Sequence, residues 1–179
     1  MRGKRHTGWC VTTALTLLLL GGCGSDEPSA ASTSGTPTSA AADPDGLTPE
    51  QREVVDAAEA YTDAIVGRGA QPLGPVIKDL VTKEVYDFIV PADTKALEDA
   101  GLQYVGQVTI KPSSVTITGD KALVKGCQDS SEAFMVAKGR TAPDAEAKPL
   151  PSTRISFGLV RRDGRWIVSD PEAADAKAC

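Results

Sequence analysis

Apolar positions recur every three or four residues from Leu47 to Gly101 and every second residue from Leu102 onward, so the chain changes period once. Leu47-Thr48-Pro49-Glu50-Gln51 predicts a helix start, with Thr48 as N-cap, Pro49 in the first turn and Gln51 completing a capping box. Val54, Ala58, Tyr61 and Ile65 then form one stripe, while Glu53, Asp56, Glu59 and Asp63 fall elsewhere. Gly67 and Gly69 end the helix after about five turns. Val76, Ile77, Leu80 and Val81 predict a short second helix after Pro72-Leu73-Gly74-Pro75. Thr82 caps a third, with Val85, Phe88 and Ile89 apolar and Pro91 as its stop. Asp93-Thr94 opens a last short helix closed by Gly101. Tyr61, Tyr86 and Phe88 are core candidates first and pocket candidates second, because aromatics at helical spacing usually pack inward.

In the second half, Tyr104 to Ile110 reads as a strand ended by Lys111-Pro112. Val115–Thr118 and Lys121–Lys125 flank the two-residue turn Gly119-Asp120, which sets Ile117 opposite Ala122 and Val115 opposite Val124. Residues 132–138 form a third strand or a continuation, and residues 140–152, rich in Ala and Pro, form a mobile loop. The strongest strand signal is the hairpin of Ile155–Arg162 and Arg165–Ser169 about Asp163-Gly164. It places Leu159 opposite Val168 and Arg161 opposite Trp166, so Phe157, Leu159, Trp166 and Val168 share the face expected to receive the first helix. Trp166 reads as a core residue under Arg161, with a ligand platform as the alternative.

The N-terminus has a different character. Arg2, Lys4 and Arg5 precede an apolar run from Val11 to Leu20, the layout of a secretory leader too short to span a membrane well. Leu20-Gly21-Gly22-Cys23 resembles the bacterial lipobox. That resemblance implies cleavage before Cys23, a diacylglyceryl group on its sulfur, and anchoring by two or more acyl chains. Residues 24–46 are almost wholly Gly, Ser, Ala, Thr, Pro and Asp and read as a disordered spacer. The expected organisation is therefore a leader (1–22), a lipidated Cys23 with its linker (23–46), and one α+β domain (47–179).

Charge and composition then narrow the function. The chain has 19 basic and 24 acidic side chains; without the three basic residues of the leader, 16 basic face 24 acidic, a net −8. That balance argues against nucleic acid and against charge-driven binding of anionic lipid. The single histidine, His6, leaves with the leader, so the mature chain has no imidazole for a base, a nucleophile pair or a metal site, and no metal or cofactor is expected. Cys10 also leaves and Cys23 takes lipid. Cys127 and Cys179 remain and should oxidise outside the cytoplasm, stapling the tail to the sheet. Strict alternation puts Cys127 on the face of Thr116 and Leu123; either the tail crosses the outer face or a bulge at Gly126 re-aims the thiol.

Helices followed by antiparallel strands make an α+β pattern. Residues 48–179 resemble the nuclear-transport-factor-2-like (cystatin-like) cone, in which a curved sheet wraps the first helix and leaves a pocket at its open end. Val115-Thr116-Ile117-Thr118-Gly119-Asp120-Lys121-Ala122, Cys127-Gln128-Asp129, Asp163-Gly164-Arg165-Trp166-Ile167-Val168 and the terminal Cys are similar to small secreted lipoproteins of actinobacteria. These are hairpin, core and staple residues, so the resemblance implies a fold and a location and carries over no active site. Tyr61, Tyr104, Phe157 and Trp166 are the candidate pocket lining. A non-catalytic envelope accessory or protein-docking module, held on the outer face of the cell membrane through Cys23, is the leading expectation. A small apolar ligand in the cone is the alternative. An isomerase- or cyclase-like enzyme is third; it would draw on Asp56, Asp63, Asp129, Tyr61, Tyr86 and Tyr104, which no spacing brings together.

Overall fold

The single change of period marks the passage from a helical layer to a sheet. The computed structural model describes residues 46–172 and Cys179; the expected leader, Cys23 and the tether up to residue 45 lie outside them. Helix α1 (Pro49–Gly67) starts as its sequence dictates. The Thr48 hydroxyl accepts from the Gln51 amide at 3.2 Å, and the Gln51 side chain accepts from the Thr48 amide at 3.0 Å. The Gln51 side-chain amide then donates to the Val115 carbonyl at 2.9 Å, so the same cap also ties the helix to the sheet.

Four strands follow: β1 (Leu102–Thr118), β2 (Lys121–Ala137), β3 (Thr153–Arg162) and β4 (Arg165–Glu172). They pair antiparallel in sequence order, a meander with β1 and β4 at the edges. Both hairpins take the expected register: Val115 with Val124 and Ile117 with Ala122, then Leu159 with Val168 and Arg161 with Trp166. Asp163 and Gly164 both hold positive φ, as a two-residue primed turn requires. Val54, Val55 and Ala58 of α1 are fully buried against the face carrying Val115, Val124, Phe157, Leu159 and Val168. Each buried valine contributes about 1.5–3 kcal/mol relative to an exposed one. Tyr61 closes this core edge-on against Phe157, ring centres 6.0 Å apart.

Three boundaries differ from the sequence reading. Helix α2 spans Leu73–Ile77 only; residues 78–80 form a turn, and Val81 makes an isolated parallel bridge to Val168 on the edge of β4. There the Thr82 amide donates to the Val168 carbonyl, and the Val168 amide to the Leu80 carbonyl, both at 2.9 Å. Covering a sheet edge outweighed two more residues of helix. Helix α3 (Lys83–Asp93) contains Pro91 rather than stopping at it, and widens into a π turn over Thr94–Glu98. Proline deletes one amide donor, and a wider turn re-pairs the backbone around the gap. Phe88 is 77% exposed on α3 and belongs to no core cluster.

Strands β1 and β2 are each one long strand, so Pro112 does not end β1 and residues 132–137 continue β2. Their length is accommodated by bulges: Ser113 is the extra residue on β1, and Ser130 with Ser131 faces Val108 on β2. Ser169 is extra on β4. The pairing of β2 with β3 is unbroken from Lys121 to Gln128, so Cys127 keeps its alternation and lies on the outer face beside Lys111 and Arg154. Cys179 joins it there in a disulfide. Gly126 does not bulge; a Cβ there would stand 2.3 Å from the Lys111 carbonyl oxygen, which is why β1 can press so close. The 138–152 loop is tied down: Leu150 donates to Ala133 at 2.7 Å, Ser152 accepts from Ser130, and Gln103 bonds the backbone of Gly139 and Arg140.

The disulfide closes a separation of 52 residues, worth about 4 kcal/mol in the chain-entropy model. Replacing both Cys127 and Cys179 by Ser should lower the unfolding free energy in urea by up to about 4 kcal/mol. An unchanged denaturation midpoint would show that the staple adds nothing.

Candidate functional site

The sheet narrows where β3 separates from β2 at the Gln128–Thr153 pair, and the C-terminal half of α1 lies over that gap. A partly open cavity of about 240 Å³ results. Tyr61, Thr62, Ile65 and Val66 of α1 form its roof. Tyr104, Val108, Gln128, Ile155 and Phe157 form its floor, and Leu150 and Pro171 close its sides. The 3.6-residue period of α1 explains the roof: Tyr61 and Ile65 lie on the inward stripe, and Thr62 and Val66 lie one position round from them.

Most of the wall is hydrocarbon, and the polar groups on it are few. The Thr62 hydroxyl donates to the Ala58 carbonyl at 3.0 Å, and the Gln128 amide nitrogen to the Ser130 hydroxyl at 3.3 Å. The hydroxyls of Tyr61 and Tyr104 are the acidic groups of the wall. Burial pushes the Tyr61 phenol up to about 12, with the Asp93 charge adding to the shift. Burial and Asp93 also raise Tyr104, opposed by Arg68.

Asp93 and Arg68 form an ion pair at 2.6 Å with side chains only 10% and 2% exposed. Arg68 Nε and Nη1 are buried with no acceptor among the described residues. This pair was missed in the sequence. Arg68 sits between two helix-ending glycines, where a charged residue normally faces water, and its partner is 25 positions away.

Of the four aromatics expected to line a pocket, Tyr61, Tyr104 and Phe157 border this cavity and Trp166 does not. Trp166 lies in the main core under the Arg161 guanidinium, 4.5 Å from its ring centre, and Arg161 is held by Glu50 at 2.5 Å. Tyr86 packs over Gly74 of α2. The candidate acid–base carboxylates stay apart from the cavity. Asp56 and Asp63 are exposed on α1. Asp129 pairs with Lys111 at 2.8 Å and accepts from the Ser131 amide, which holds its carboxyl well below the usual range. Among the described residues, no group of three potential ligands could hold a metal ion. None of their helices is long and apolar enough to cross a membrane.

No family model matches the chain, and no curated protein matches it. Solved structures similar to it include the intermembrane-space region of the chloroplast protein ARC6 (14% identity, 70% of this chain and 95% of that one, TM-score 0.48). An NTF-2-like protein of unknown function from Shewanella oneidensis MR-1 is similar at 13% identity over 68% of this chain and 99% of its own, TM-score 0.45. An NTF2-like protein with a cystatin-like fold from Novosphingobium aromaticivorans is similar at 15% identity over 72% and 85%, TM-score 0.41. No residue role passes from them to this chain.

The Tyr61 shift has a measurable sign. A phenol raised from 10.0 to about 12 holds its proton longer in the folded than in the unfolded chain. Its contribution is complete below pH 10 and is lost as pH rises towards 12, with a slope of at most about 1.4 kcal/mol per pH unit. Tyr61→Phe should remove the highest tyrosinate step in an ultraviolet titration and flatten the alkaline fall in stability. An unchanged last step would place Tyr61 in water.

Proposed function

We propose that the chain is a lipid-anchored extracytoplasmic protein that binds one small, largely apolar molecule between α1 and the sheet. The observation that carries the binding half is the cavity, about 240 Å³ with hydrocarbon walls and a few hydroxyl and amide groups. An engineered apolar cavity of about 150 Å³ takes benzene, so this volume suits a one- or two-ring compound. The absence of any carboxylate among the lining residues favours binding over isomerase- or cyclase-like chemistry, which needs a base against the substrate.

Protein docking through the outer sheet face has less support. Leu123 is exposed there, but Lys111, Lys125 and Arg154 share that face and interrupt it. Support for the anchoring half comes from Leu20-Gly21-Gly22-Cys23 behind a basic, apolar leader, and from a polar spacer. The Cys127–Cys179 bond fits the same compartment, because such bonds persist outside a reducing cytoplasm.

Expressed in a lipoprotein-processing bacterium, the wild-type chain should partition with membranes and Cys23→Ser should lose most of that partition; equal partition of both would refute the anchor. For the cavity the probe is naphthalene, titrated into purified protein and followed by calorimetry. Ile65→Trp, which fills the roof, should weaken naphthalene binding at least about tenfold. If wild type does not bind the probe, or the filled variant binds it equally well, the ligand reading fails.

A further inference from the structure

The polar groups of the cavity wall differ in how firmly they are held. The Thr62 hydroxyl spends its proton on the Ala58 carbonyl, and the hydroxyls of Tyr61 and Tyr104 turn freely about one bond. Gln128 is fixed. It is the last residue of β2 paired with β3, so it lines the cavity at the point where the sheet divides. Its Nε2 donates to the Ser130 hydroxyl at 3.3 Å. Ser130 is only 1% exposed and is itself anchored: its amide donates to the Ser152 hydroxyl at 3.1 Å, and that hydroxyl donates to Asp129 Oδ1 at 3.3 Å. The Gln128 amide is therefore held through its nitrogen, and Oε1 is the atom left over. No donor among the described residues reaches Oε1. Gln128 is half-buried, and its Oε1, unlike Arg68 Nε, is not one of their closed-off polar atoms, so a molecule in the cavity can reach it.

An amide oxygen only accepts, so it reads a donor. A ligand that covers Oε1 displaces water from it and must return that hydrogen bond or lose it. A hydroxyl returns it, whereas a hydrocarbon, an ether or a ketone leaves the oxygen desolvated and unpaired. Charge settles the kind of donor. The lining side chains carry no charge at neutral pH, so an ammonium group would enter a hydrocarbon wall with no counter-charge. We infer that the cavity selects neutral one- or two-ring compounds bearing a hydroxyl group, phenols and ring alcohols, whose O–H donates to Gln128 Oε1. This inference rests on the ligand-binding reading above and names the ligand class for the same cavity.

Three probes of similar size separate the two claims. They are 2-naphthol, 2-methylnaphthalene, which carries a methyl group in place of the hydroxyl, and 1-tetralone, whose oxygen only accepts. Each is titrated calorimetrically into the purified wild-type chain at neutral pH, where 2-naphthol is uncharged. Binding of 2-naphthol should be tightest, by at least about fivefold over either of the others. In Gln128→Leu, similar in size and without an acceptor, the ratio of 2-naphthol to 2-methylnaphthalene affinity should fall to about one. Should Gln128→Leu fail to fold or to bind 2-methylnaphthalene, the same ratio is read in Gln128→Met. If no probe binds wild type, the cavity reading itself falls. If 2-methylnaphthalene or 1-tetralone binds wild type as tightly as 2-naphthol, the cavity stands and the hydroxyl inference is overturned. A preference that persists in the folded Gln128 variant overturns it as well, because the hydroxyl is then held elsewhere in the wall.

Discussion

The seating of α1 in the concave sheet is the constraint on which the rest of the domain depends. Val54, Val55 and Ala58 have no exposed surface, because the sheet covers one side of them and Leu73, Ile77, Val81 and Val85 join the same core. Extra residues at Ser113 on β1, Ser130–Ser131 on β2 and Ser169 on β4 bend the strands. The curve holds the N-terminal half of α1 tightly, through Gln51 on Val115 and the valines on Val124, Leu159 and Val168. Its C-terminal half overhangs the place where β3 has left the sheet. The cavity is the space that a four-turn contact cannot close once the sheet has narrowed to two strands.

What the sequence disclosed and what it withheld divide along the range of the interactions. The capping box at Thr48, the Asp163-Gly164 turn and the register of both hairpins are decided within a few residues, and each is found where the local chemistry puts it. The Cys127–Cys179 pair was legible for another reason: with Cys10 and Cys23 assigned to an expected lipoprotein leader, only one pair was left. Local signals failed where a distant surface competed. Leu80 and Val81 have helical spacing, yet the open edge of β4 claims them. Pro91 is a helix stop by itself, but α3 continues through it into a wider turn. Pro112 stays in β1, where it pairs with Gly126 beside the Ser113 bulge. At the candidate site the aromatic lining was readable from periodicity, while Trp166 was drawn into the core by Arg161.

The pair Arg68–Asp93 shows why the buried charges were not readable. Burying two charges costs several kcal/mol each, and their attraction recovers it only in good geometry with the remaining hydrogen bonds made. Here the geometry is good at 2.6 Å, but two donors of Arg68 are left over. The pair exists only in three dimensions: no spacing rule connects the residue that follows α1 with the last residue of α3.

The tail and the cavity are linked as well. Pro171 is part of the cavity wall and pairs with Phe157, which is also in the wall. Beyond the Ser169 bulge, β4 pairs with β3 on one side, since the bridge at Val81 reaches only Val168. The end of an edge strand held on one side opens easily. The bond between Cys179 and Cys127 ties the last residue to the outer face of β2, and such bonds persist where the surroundings are oxidising.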